Sequence, residues 1–518
     1  MEKLSTLSTS RTVLLSIFLS LFLISNSQSQ VVSYQDSWGD TGFTLEMENP
    51  GGVHLNFSIT QFEMEEIMIG ESLMKSVHIP GVLLPNDEGA PNLPGTSRFI
   101  AIPEGADASF RVTASRTEIL ENVEIAPAFR IPKGNEDGPL SYVKDEKIYG
   151  ANELYPAEPF ILSEPTEIRG VDAVQFGITP FQYNPVTKQL IVYRDVKVEV
   201  SFQGGNSHFG DDRLRSRWFD PILRNVFINH HSLPEVTYSS NSDALDQDFE
   251  YVIICPNDPT FLAWADSIKQ FRTLQGIRTG IFTTTDVGGN NAAIIESFIN
   301  NAYNTWTIPP VAVMLLGDYG TSGNTVHSPM WDNYCVSDHI YADVNGNDMA
   351  DLITARITAQ NASHLQTMIG KFLRYERTPP TNQNYYNKPI TAMGWQTERW
   401  FQICSETING FWEHELGKTP VRENAIYIGT PPFTSWSSNQ NTSMVVNYFG
   451  PNGQGYIPAT ANHLTDWGGN ATRINNDINS GAFMLQHRDH GGETGWGEPD
   501  YGNSDLAGLT NQDLIFVL

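Results

Sequence analysis

The chain has 518 residues, of which 31 are basic and 59 acidic, so its formal net charge at pH 7 is −28. A surface of that sign repels nucleic-acid phosphates and anionic membranes, which argues against nucleic acid as a partner. Hydrophobic residues make up 40% of the chain, enough to fill cores, and the length implies several domains rather than a disordered chain.

Residues 1–30 have the pattern of a signal peptide. Lys3 and Arg11 precede an apolar run over residues 13–24, and a short polar stretch follows. Such a run is short for a bilayer span, and no later segment is longer, so we predict no transmembrane segment. The sequence therefore predicts a protein that is secreted or held at the cell surface after signal cleavage. An uncleaved membrane anchor is the alternative.

Residues 31–203 are predicted to form a β-rich domain. Short apolar runs alternate with turn signals, most clearly where residues 181–183 lead through Asn184 and Pro185 into residues 190–202. Alternate side chains of this last run are apolar, as in a strand with one buried face.

Residues 204–217 are charged and contain Gly and Ser, and residues 232–248 are polar and unpatterned. We therefore predict a linker over residues 204–248 with a short ordered piece between these two stretches. Exposed basic residues in such a segment are good sites for proteolysis. We therefore expect maturation within it, near one of four arginines: Arg213, Arg215, Arg217 and Arg224. The alternative is a permanent N-terminal domain with a basic linker.

Residues 249–518 alternate β-branched runs with segments of helical period. A strand over 251–254 is followed by a helix that aligns Phe261, Ile268 and Leu274, and Gly276 suits the helix end. Strands over 277–284 and 311–316 with a helix between them continue the pattern. Such alternation predicts a mostly parallel sheet with helices on both faces, and binding sites beyond the carboxyl ends of its strands.

The most informative of these strand ends follows residues 482–486. It reads Gln486-His-Arg-Asp-His490-Gly-Gly-Glu-Thr-Gly-Trp496, and the two glycines leave the backbone open beside a histidine. This stretch resembles the histidine motif of the gingipain family of cysteine peptidases, peptidase family C25. Residues 249–316, 337–341 and 355–377 are similar to the family's first subunit, and residues 89–94 and 99–105 look like its pro-region.

The resemblance implies a β-rich pro-domain before a caspase-like α/β domain, and roles for three residues. His490 would be the base that takes the thiol proton, the Gly491 N–H would help hold the oxyanion, and Glu398 is the candidate that orients the imidazole. In the family the nucleophilic cysteine ends the next core strand, which residues 514–518 resemble. The nucleophile is thus expected just beyond residue 518, and the chain by itself is expected to be inactive.

One departure from the family stands beside the histidine. The residues before it are usually small or hydroxylic, whereas here they are His487, Arg488 and Asp489. A zinc site is the rival interpretation, because His487, His490 and Glu493 recur every third residue, but metallopeptidase pairs sit on helices and the glycines oppose a helix here. Among the thiols, Cys255 and Cys404 fit core positions, which leaves Cys335 as the alternative nucleophile.

Residues 343–351 read Asp-Val-Asn-Gly-Asn-Asp-Met-Ala-Asp and resemble a calcium loop. Oxygen-bearing side chains alternate around a glycine, although the final glutamate of an EF-hand is missing. We predict structural calcium and no organic cofactor, with these ligands: Asp343, Asn345, Asn347 and Asp351. A solvated turn explains the same pattern.

Together these features predict a secreted cysteine-type endopeptidase precursor. Its partners would be protein or peptide substrates and its own pro-region as inhibitor. A non-catalytic surface or secretion-system protein on the same fold is the alternative function.

Overall fold

The computed structural model describes residues 29–82, 86–130, 140–235, 248–431, 435–437 and 442–518. The predicted signal peptide falls almost wholly on residues outside this part. Within it, none of the helices is long and apolar enough to span a bilayer.

The N-terminal region is rich in β-strands, as predicted, and these strands pair antiparallel. Its strands form three sheets with the orders β1-β4-β5, β6-β10-β8 and β11-β12-β3-β2; β7 also pairs with β12, and β9 with β10. These elements are β1 (Ser29–Ser33), β2 (Gly42–Asn49), β3 (Gly52–Ser58), β4 (Gln61–Ile69), β5 (Ser72–His78), β6 (Thr96–Ala101), β7 (Ala106–Leu120), helix α1 (Glu146–Gly150), β8 (Phe160–Leu162), β9 (Thr166–Ile168), β10 (Val171–Ile178), β11 (Phe181–Asn184) and β12 (Gln189–Gly204).

The predicted hairpin over residues 181–202 is confirmed as β11 and β12. Asn184 ends β11, and its side-chain oxygen accepts hydrogen bonds from the backbone N–H groups of Val186 and Thr187. Along β12 the alternate residues Val196, Val198 and Val200 are buried in one hydrophobic cluster with β3 and β10, which is the reason for the alternation in sequence.

Within the predicted linker, residues 204–248, the short ordered piece expected between residues 217 and 232 is present, and the described residues 204–235 around it are also folded. This segment contains helix α2 (Asp220–Val226) and short 3₁₀ turns at Asp212–Leu214 and His230–Ser232. Phe219, Leu223 and Phe227 are buried against residues of β10 and against Val311 of the following domain. These three residues recur every fourth position, as on one face of a helix. Residues 236–247 lie outside the described part, and the exact domain boundary stays a prediction.

The first half of the C-terminal region is a parallel sheet of order β14-β13-β15-β18. The alternation of strands and helices follows the prediction closely. Its elements are β13 (Tyr251–Cys255), α3 (Pro259–Leu274), β14 (Thr279–Thr283), α4 (Ala292–Thr305), β15 (Ala312–Leu316), the hairpin β16 (Met330–Trp331) and β17 (Cys335–Val336), a 3₁₀ turn (Asp338–Tyr341), β18 (Ile353–Ile357) and α5 (Ala362–Arg377).

Both faces of this sheet are covered. Val252 and Ile254 of β13 belong to the cluster that contains α4, whereas Ile253 and Cys255 face α3 and α5. The prediction that Leu274 shares the buried stripe of α3 is wrong. Leu274 is 82% exposed, because it is the last residue of α3 and extends past the sheet.

The second half is a further parallel sheet of order β20-β19-β21-β25, so two four-stranded sheets replace the one sheet expected. The expected class, a β-rich region followed by an α/β region with parallel strands, is confirmed. The elements are α6 (Gln383–Asn387), β19 (Ile390–Gln396), α7 (Phe401–His414), β20 (Val421–Ile428), α8 (Ser443–Phe449), α9 (Ala471–Ser480), β21 (Met484–Arg488), β22 (Gly491–Gly492), β23 (Gly495–Trp496), β24 (Tyr501–Gly502), a 3₁₀ turn (Asp505–Gly508) and β25 (Phe516–Val517).

In a parallel sheet all strands begin on one side and end on the opposite side. We call the side where the strands begin the amino edge and the side where they end the carboxyl edge; neither term refers to an outermost strand. The connecting helices run back against the strands, so helix C-termini lie at the amino edge.

Candidate active site

His490 lies at the carboxyl edge of the second sheet. It follows β21, which is paired with β19 on one side and β25 on the other. The imidazole is exposed, with its centroid 5.4 Å from the ring of Phe401 at the start of α7 and 5.8 Å from the ring of Tyr427 in β20. An exposed imidazole held between two aromatic rings is accessible to a substrate and restricted in orientation.

The other two predicted catalytic residues lie at the same edge. Gly491 is exposed and pairs with Trp496 in the small sheet formed by β22, β23 and β24. Glu398 follows β19, the strand beside β21, and its Oε1 accepts a hydrogen bond of 2.9 Å from Gln396 Nε2. The fold thus brings all three to the ends of neighbouring strands. Their catalytic roles stay predictions.

Asp489, noted in the sequence as a departure from the family, has an unusual environment. Its Oδ1 accepts a hydrogen bond of 2.5 Å from the His490 backbone N–H, and its Oδ2 is buried. A Cβ at Gly394 would lie 1.7 Å from that Oδ2, so the carboxylate occupies space that only glycine leaves free. Burial raises the pKa of Asp489 above its ordinary value. The sequence does not reveal this contact, because Gly394 and Asp489 are far apart in the chain and neither residue alone indicates it.

His487 has a different environment from His490. Its ring stacks on Trp496, with centroids 4.3 Å apart and planes inclined by 10°, and its Nε2 lies 3.2 Å from the carbonyl oxygen of Glu498. Burial lowers the pKa of His487, so the ring is neutral at neutral pH. In the described part of the chain no group of three or more His, Cys, Asp or Glu side chains is arranged to hold a metal ion. The zinc interpretation therefore gains no support.

Two of the three cysteines are in environments that disfavour a thiolate. Cys255 is buried at the end of β13, where burial raises the pKa of its thiol to about 12. Burial in α7 also raises the pKa of Cys404. Cys335 is exposed in the β16–β17 hairpin, beside the first sheet, whereas His490 follows a strand of the second.

The carboxyl end of β25 lies next to the histidine strand. Residues Met484 and Leu485 of β21 pair in parallel with Phe516 and Val517, and the His487 N–H donates a hydrogen bond of 2.8 Å to the carbonyl oxygen of Leu518. The chain direction at Leu518 thus leads toward the edge that holds His490.

The predicted calcium loop is closed by hydrogen bonds within itself. Asp343 Oδ1 accepts from the N–H groups of Gly346 and Asn347, and Asp351 Oδ2 accepts from the N–H groups of Val344 and Asn345. The carboxylates are therefore already engaged by backbone donors, and Asp351 is buried. Calcium binding at these residues stays a prediction.

Comparison with known proteins identifies the family. The family model described as peptidase family C25 matches residues 244–518, which is more than half of the chain. The chain belongs to peptidase family C25. The model of the family's propeptide, Propeptide_C25, matches residues 43–234, so the β-rich region corresponds to a C25 pro-region.

Similar relatives come from Porphyromonas gingivalis. Lys-gingipain is 22% identical over 484 residues, a match that covers 89% of this chain and 25% of the relative. Gingipain R1 is 23% identical over 483 residues, a match that covers 91% of this chain and 43% of the relative. One gingipain R2 is 22% identical over 475 residues, and this match covers 89% of this chain and 58% of the relative. The chain thus spans between a quarter and three-fifths of the length of these relatives.

Solved structures with a likeness to this chain include the complex of the RgpB pro- and mature domains of Porphyromonas gingivalis. It is 23% identical, with a TM-score of 0.34, and the match covers 37% of this chain and 98% of that one. The Arg-specific cysteine proteinase gingipain R is 17% identical with a TM-score of 0.37, covering 54% of this chain and 55% of that one.

Proposed function

We propose that this chain carries the pro-region and the histidine-bearing part of the peptidase domain of an exported cysteine endopeptidase that hydrolyses peptide bonds by a Cys-His mechanism. The observation that supports this most is the exposure of two residues at the carboxyl edge of the second sheet. His490 follows β21 and its imidazole is exposed, and the next residue, Gly491, is exposed too.

In this mechanism His490 takes the proton of the thiol and later gives it to the leaving amine. The backbone N–H of Gly491 donates to the oxyanion of the tetrahedral intermediate. Glu398 orients the imidazole. The thiol is supplied by a cysteine following β25 in the natural protein, a proposal supported by the hydrogen bond between the His487 N–H and the Leu518 carbonyl.

The pro-region is proposed to inhibit the enzyme until a cut within residues 204–248 separates the two. The export of the protein is inferred from residues 1–30, in which a charged, an apolar and a polar stretch follow one another as in a signal peptide. This pattern agrees with a secreted or cell-surface location. The substrates are proteins or peptides. N-terminal sequencing of the active form tests the cut, because a mature start near residue 31 would show that the pro-region is a permanent domain.

The mechanism is tested in the natural protein, purified from its producing cells, with a library of quenched fluorescent peptides. His490→Ala is expected to lower kcat/KM at least about 100-fold, the usual worth of a positioned general base. His364→Ala, an exposed position on α5, is the matched control and is expected to leave kcat/KM unchanged.

Alkylation with iodoacetamide followed by mass spectrometry locates the reactive thiol. The proposal expects the modified cysteine in the peptide after Leu518. Loss of activity through modification of Cys335 would contradict it, and an intact natural protein without any peptidase activity would favour the non-catalytic alternative.

A further inference from the structure

Two aromatic side chains form a wall beside His490 at the carboxyl edge of the second sheet. Phe401 is the first residue of α7, which follows β19, and Tyr427 belongs to β20. Their ring centroids lie 5.4 and 5.8 Å from that of the imidazole, and the planes of Phe401 and His490 are inclined by 79°. The guanidinium of Arg488 covers Phe401 at 5.2 Å from the ring centroid. We call Phe401 and Tyr427 the aromatic wall.

Tyr427 is the extra residue of a β-bulge in β20. The strand β19 pairs with β20 through Trp395 opposite Ile426 and then through the next residue, Gln396, opposite Ile428. A β-bulge bends its strand and redirects a side chain, and bulges are common next to active sites. The direction of the Tyr427 ring toward the imidazole is thus a feature of this irregular strand end.

Both rings of the aromatic wall are anchored at their base. Phe401 packs against the hydrophobic cluster that contains the buried Trp395. The end of β20 is joined to the residue after β19, because the N–H and the Oγ1 of Thr397 both donate to the carbonyl oxygen of Ile428 at 3.3 Å. Tyr427 nevertheless keeps 42% of its surface exposed. Held rings with open surface suit the binding of a side chain, since they lose little conformational freedom on binding.

The aromatic wall and the proposed nucleophile lie on opposite sides of His490. In the sheet order β20-β19-β21-β25, His490 follows β21, the wall belongs to β20 and to the helix after β19, and the cysteine is proposed to follow β25. During acylation the thiolate sulfur bonds to the scissile carbonyl carbon, the C–N bond breaks, and His490 gives its proton to the leaving nitrogen. That nitrogen therefore lies at the imidazole, and the residue that it carries extends past the imidazole, away from the sulfur.

We propose that Phe401 and Tyr427 form the subsite for the P1′ residue, the residue just after the scissile bond, and that this subsite selects a large apolar or aromatic side chain. The inference rests on the proposed peptidase function and adds a preference on the leaving-group side. Aromatic rings attract a further ring through edge and face contacts. Ile426 and Ile428, both exposed, extend the apolar surface on either side of Tyr427.

The test uses the natural protein purified from its producing cells. A cleaved sequence is first identified by mass spectrometry of a digested peptide library, and quenched fluorescent peptides then vary only its P1′ residue. The wild type is expected to show a kcat/KM at least about 10-fold higher for phenylalanine than for alanine at P1′. In Tyr427→Ala this ratio is expected to fall below about 3. Tyr427→Phe keeps the ring and is expected to retain the preference.

Acyl transfer provides a second measurement of the same subsite. Phenylalanine amide or alanine amide competes with water for the thioester; its amine attacks the thioester carbonyl carbon, a peptide bond forms, and the thiol is released. The side chain of the acceptor then occupies the P1′ position. The wild type is expected to transfer the acyl group to phenylalanine amide at least about 10-fold better than to alanine amide, and Tyr427→Ala is expected to lose this difference.

The matched control is Tyr386→Ala. Tyr386 is 43% exposed, close to the value for Tyr427, but it lies in α6, which precedes β19 and therefore stands at the amino edge. This control is expected to leave the P1′ preference unchanged, and thermal denaturation verifies that each variant is folded.

Three outcomes would contradict the inference. An active Tyr427→Ala with the P1′ preference of the wild type would overturn it and leave the proposed function standing. A change of preference at P1 instead of P1′ would also overturn it, because the aromatic wall would then lie on the other side of the scissile bond. A natural protein without peptidase activity would overturn both the inference and the proposed function.

Discussion

The two sheet edges that matter for function differ in exposure. At the amino edge of the first sheet, Arg169 is almost fully buried, and its guanidinium donates to the backbone carbonyl oxygens of Leu214, Pro310 and Asp351. At the carboxyl edge of the second sheet, His490 and Gly491 are exposed. Buried side chains with hydrogen-bond partners stabilise a contact between two regions, whereas accessible polar groups are typical of reactive sites.

The burial of apolar residues differs between the two edges in the same way. Phe219, Leu223 and Phe227 are buried where the N-terminal region meets the first sheet. In contrast, Ile426 and Ile428 at the end of β20, beside the Tyr427 that contacts His490, are 44% and 43% exposed. Exposed apolar residues next to a candidate catalytic group suit contact with a substrate chain.

The largest expected effect on stability concerns the buried ion pair on the pro-region side. Arg215 donates to both carboxylate oxygens of Asp220, at 3.0 and 2.7 Å, and the two side chains are 6% and 4% exposed. Asp220→Ala leaves the Arg215 charge buried without its counter-ion, so we expect the free energy of unfolding to fall by about 3–5 kcal/mol.

Urea denaturation of the full chain measures this loss. The matched control is Asp212→Ala, whose side chain is 60% exposed and paired with His208, and we expect a change below about 0.5 kcal/mol. Equal stability of Asp220→Ala and the wild type would mean that the segment 212–232 is not held as firmly as its burial indicates.

The next effect is at the catalytic edge, where Gly394 faces Asp489. A methyl group at residue 394 would overlap Asp489 Oδ2, so Gly394→Ala is expected to cost about 1–3 kcal/mol of stability. Asp489→Gly should relieve the overlap, so the double variant should be more stable than Gly394→Ala alone.

A double-mutant cycle by urea denaturation checks this coupling. Gly370→Ala on α5 is the control, because no atom lies within 4 Å of the added methyl group there, and we expect it to raise stability by about 0.5–1 kcal/mol. Additive effects of the two changes at residues 394 and 489 would show that the carboxylate does not occupy the space over Gly394.

The order of strands and helices in residues 249–518 was predictable because each strand is buried on both faces and each helix buries one stripe. The strand predicted at residues 251–254 and the helix predicted between the strands at 277–284 and 311–316 are both confirmed, as Tyr251–Cys255 and Ala292–Thr305. Within residues 204–235 the short ordered piece was predicted and corresponds to α2, but its partners were not predictable, because Phe219, Leu223 and Phe227 pack with residues of β10 and with Val311 that are distant in sequence. Arg213 and Arg215 look like exposed linker residues until their hydrogen-bond acceptors are known, whereas Arg217 is exposed in the structure as well.

The candidate site shows the same limit. His490 and Gly491 were predictable because they follow a buried strand and match a family motif. The contact between Asp489 and Gly394 was not, since it joins neighbouring strands separated by almost a hundred residues. Phe401 and Tyr427 were likewise missed as neighbours of His490, because an aromatic residue at the end of a helix or strand has no distinct signal in sequence.

A smaller effect concerns the charge of Asp489. Burial raises its pKa in the folded protein, so the folded state binds the proton more tightly than the unfolded state, whose pKa is about 3.9. The ionised carboxylate therefore lowers stability at pH 7, and the loss is relieved as the pH falls through the raised pKa. Asp489→Asn should be more stable than the wild type at pH 7, by at most about 0.5 kcal/mol because the side chain is partly solvated.

Melting temperatures of Asp489→Asn and wild type between about pH 7 and pH 4 check this sign. The difference should shrink on acidification. Asp513→Asn, near the chain end at the same sheet, is the control and should show no such trend. A difference that grows as the pH falls would mean that the ionised Asp489 is stabilised in the folded protein.

The smallest effect is the proposed binding of calcium at Asp343, Asn345, Asn347 and Asp351, at the amino edge. Burial raises the pKa of Asp351, and the nearby charge of Asp343 raises it further, so a cation there would relieve repulsion between carboxylates. The gain is limited, because backbone N–H groups already occupy the carboxylate oxygens of both residues. We expect 1 mM calcium to raise the melting temperature of the full chain by about 1 °C, because a dissociation constant near 1 mM corresponds to about 0.4 kcal/mol at that concentration. Asp343→Asn should abolish the shift, whereas Asp348→Asn, which changes an exposed loop residue with a positive φ of 63°, should retain it. If calcium shifts wild type and Asp343→Asn equally, the cation binds elsewhere, and the loop acts only as a contact for the pro-region turn that carries Arg169.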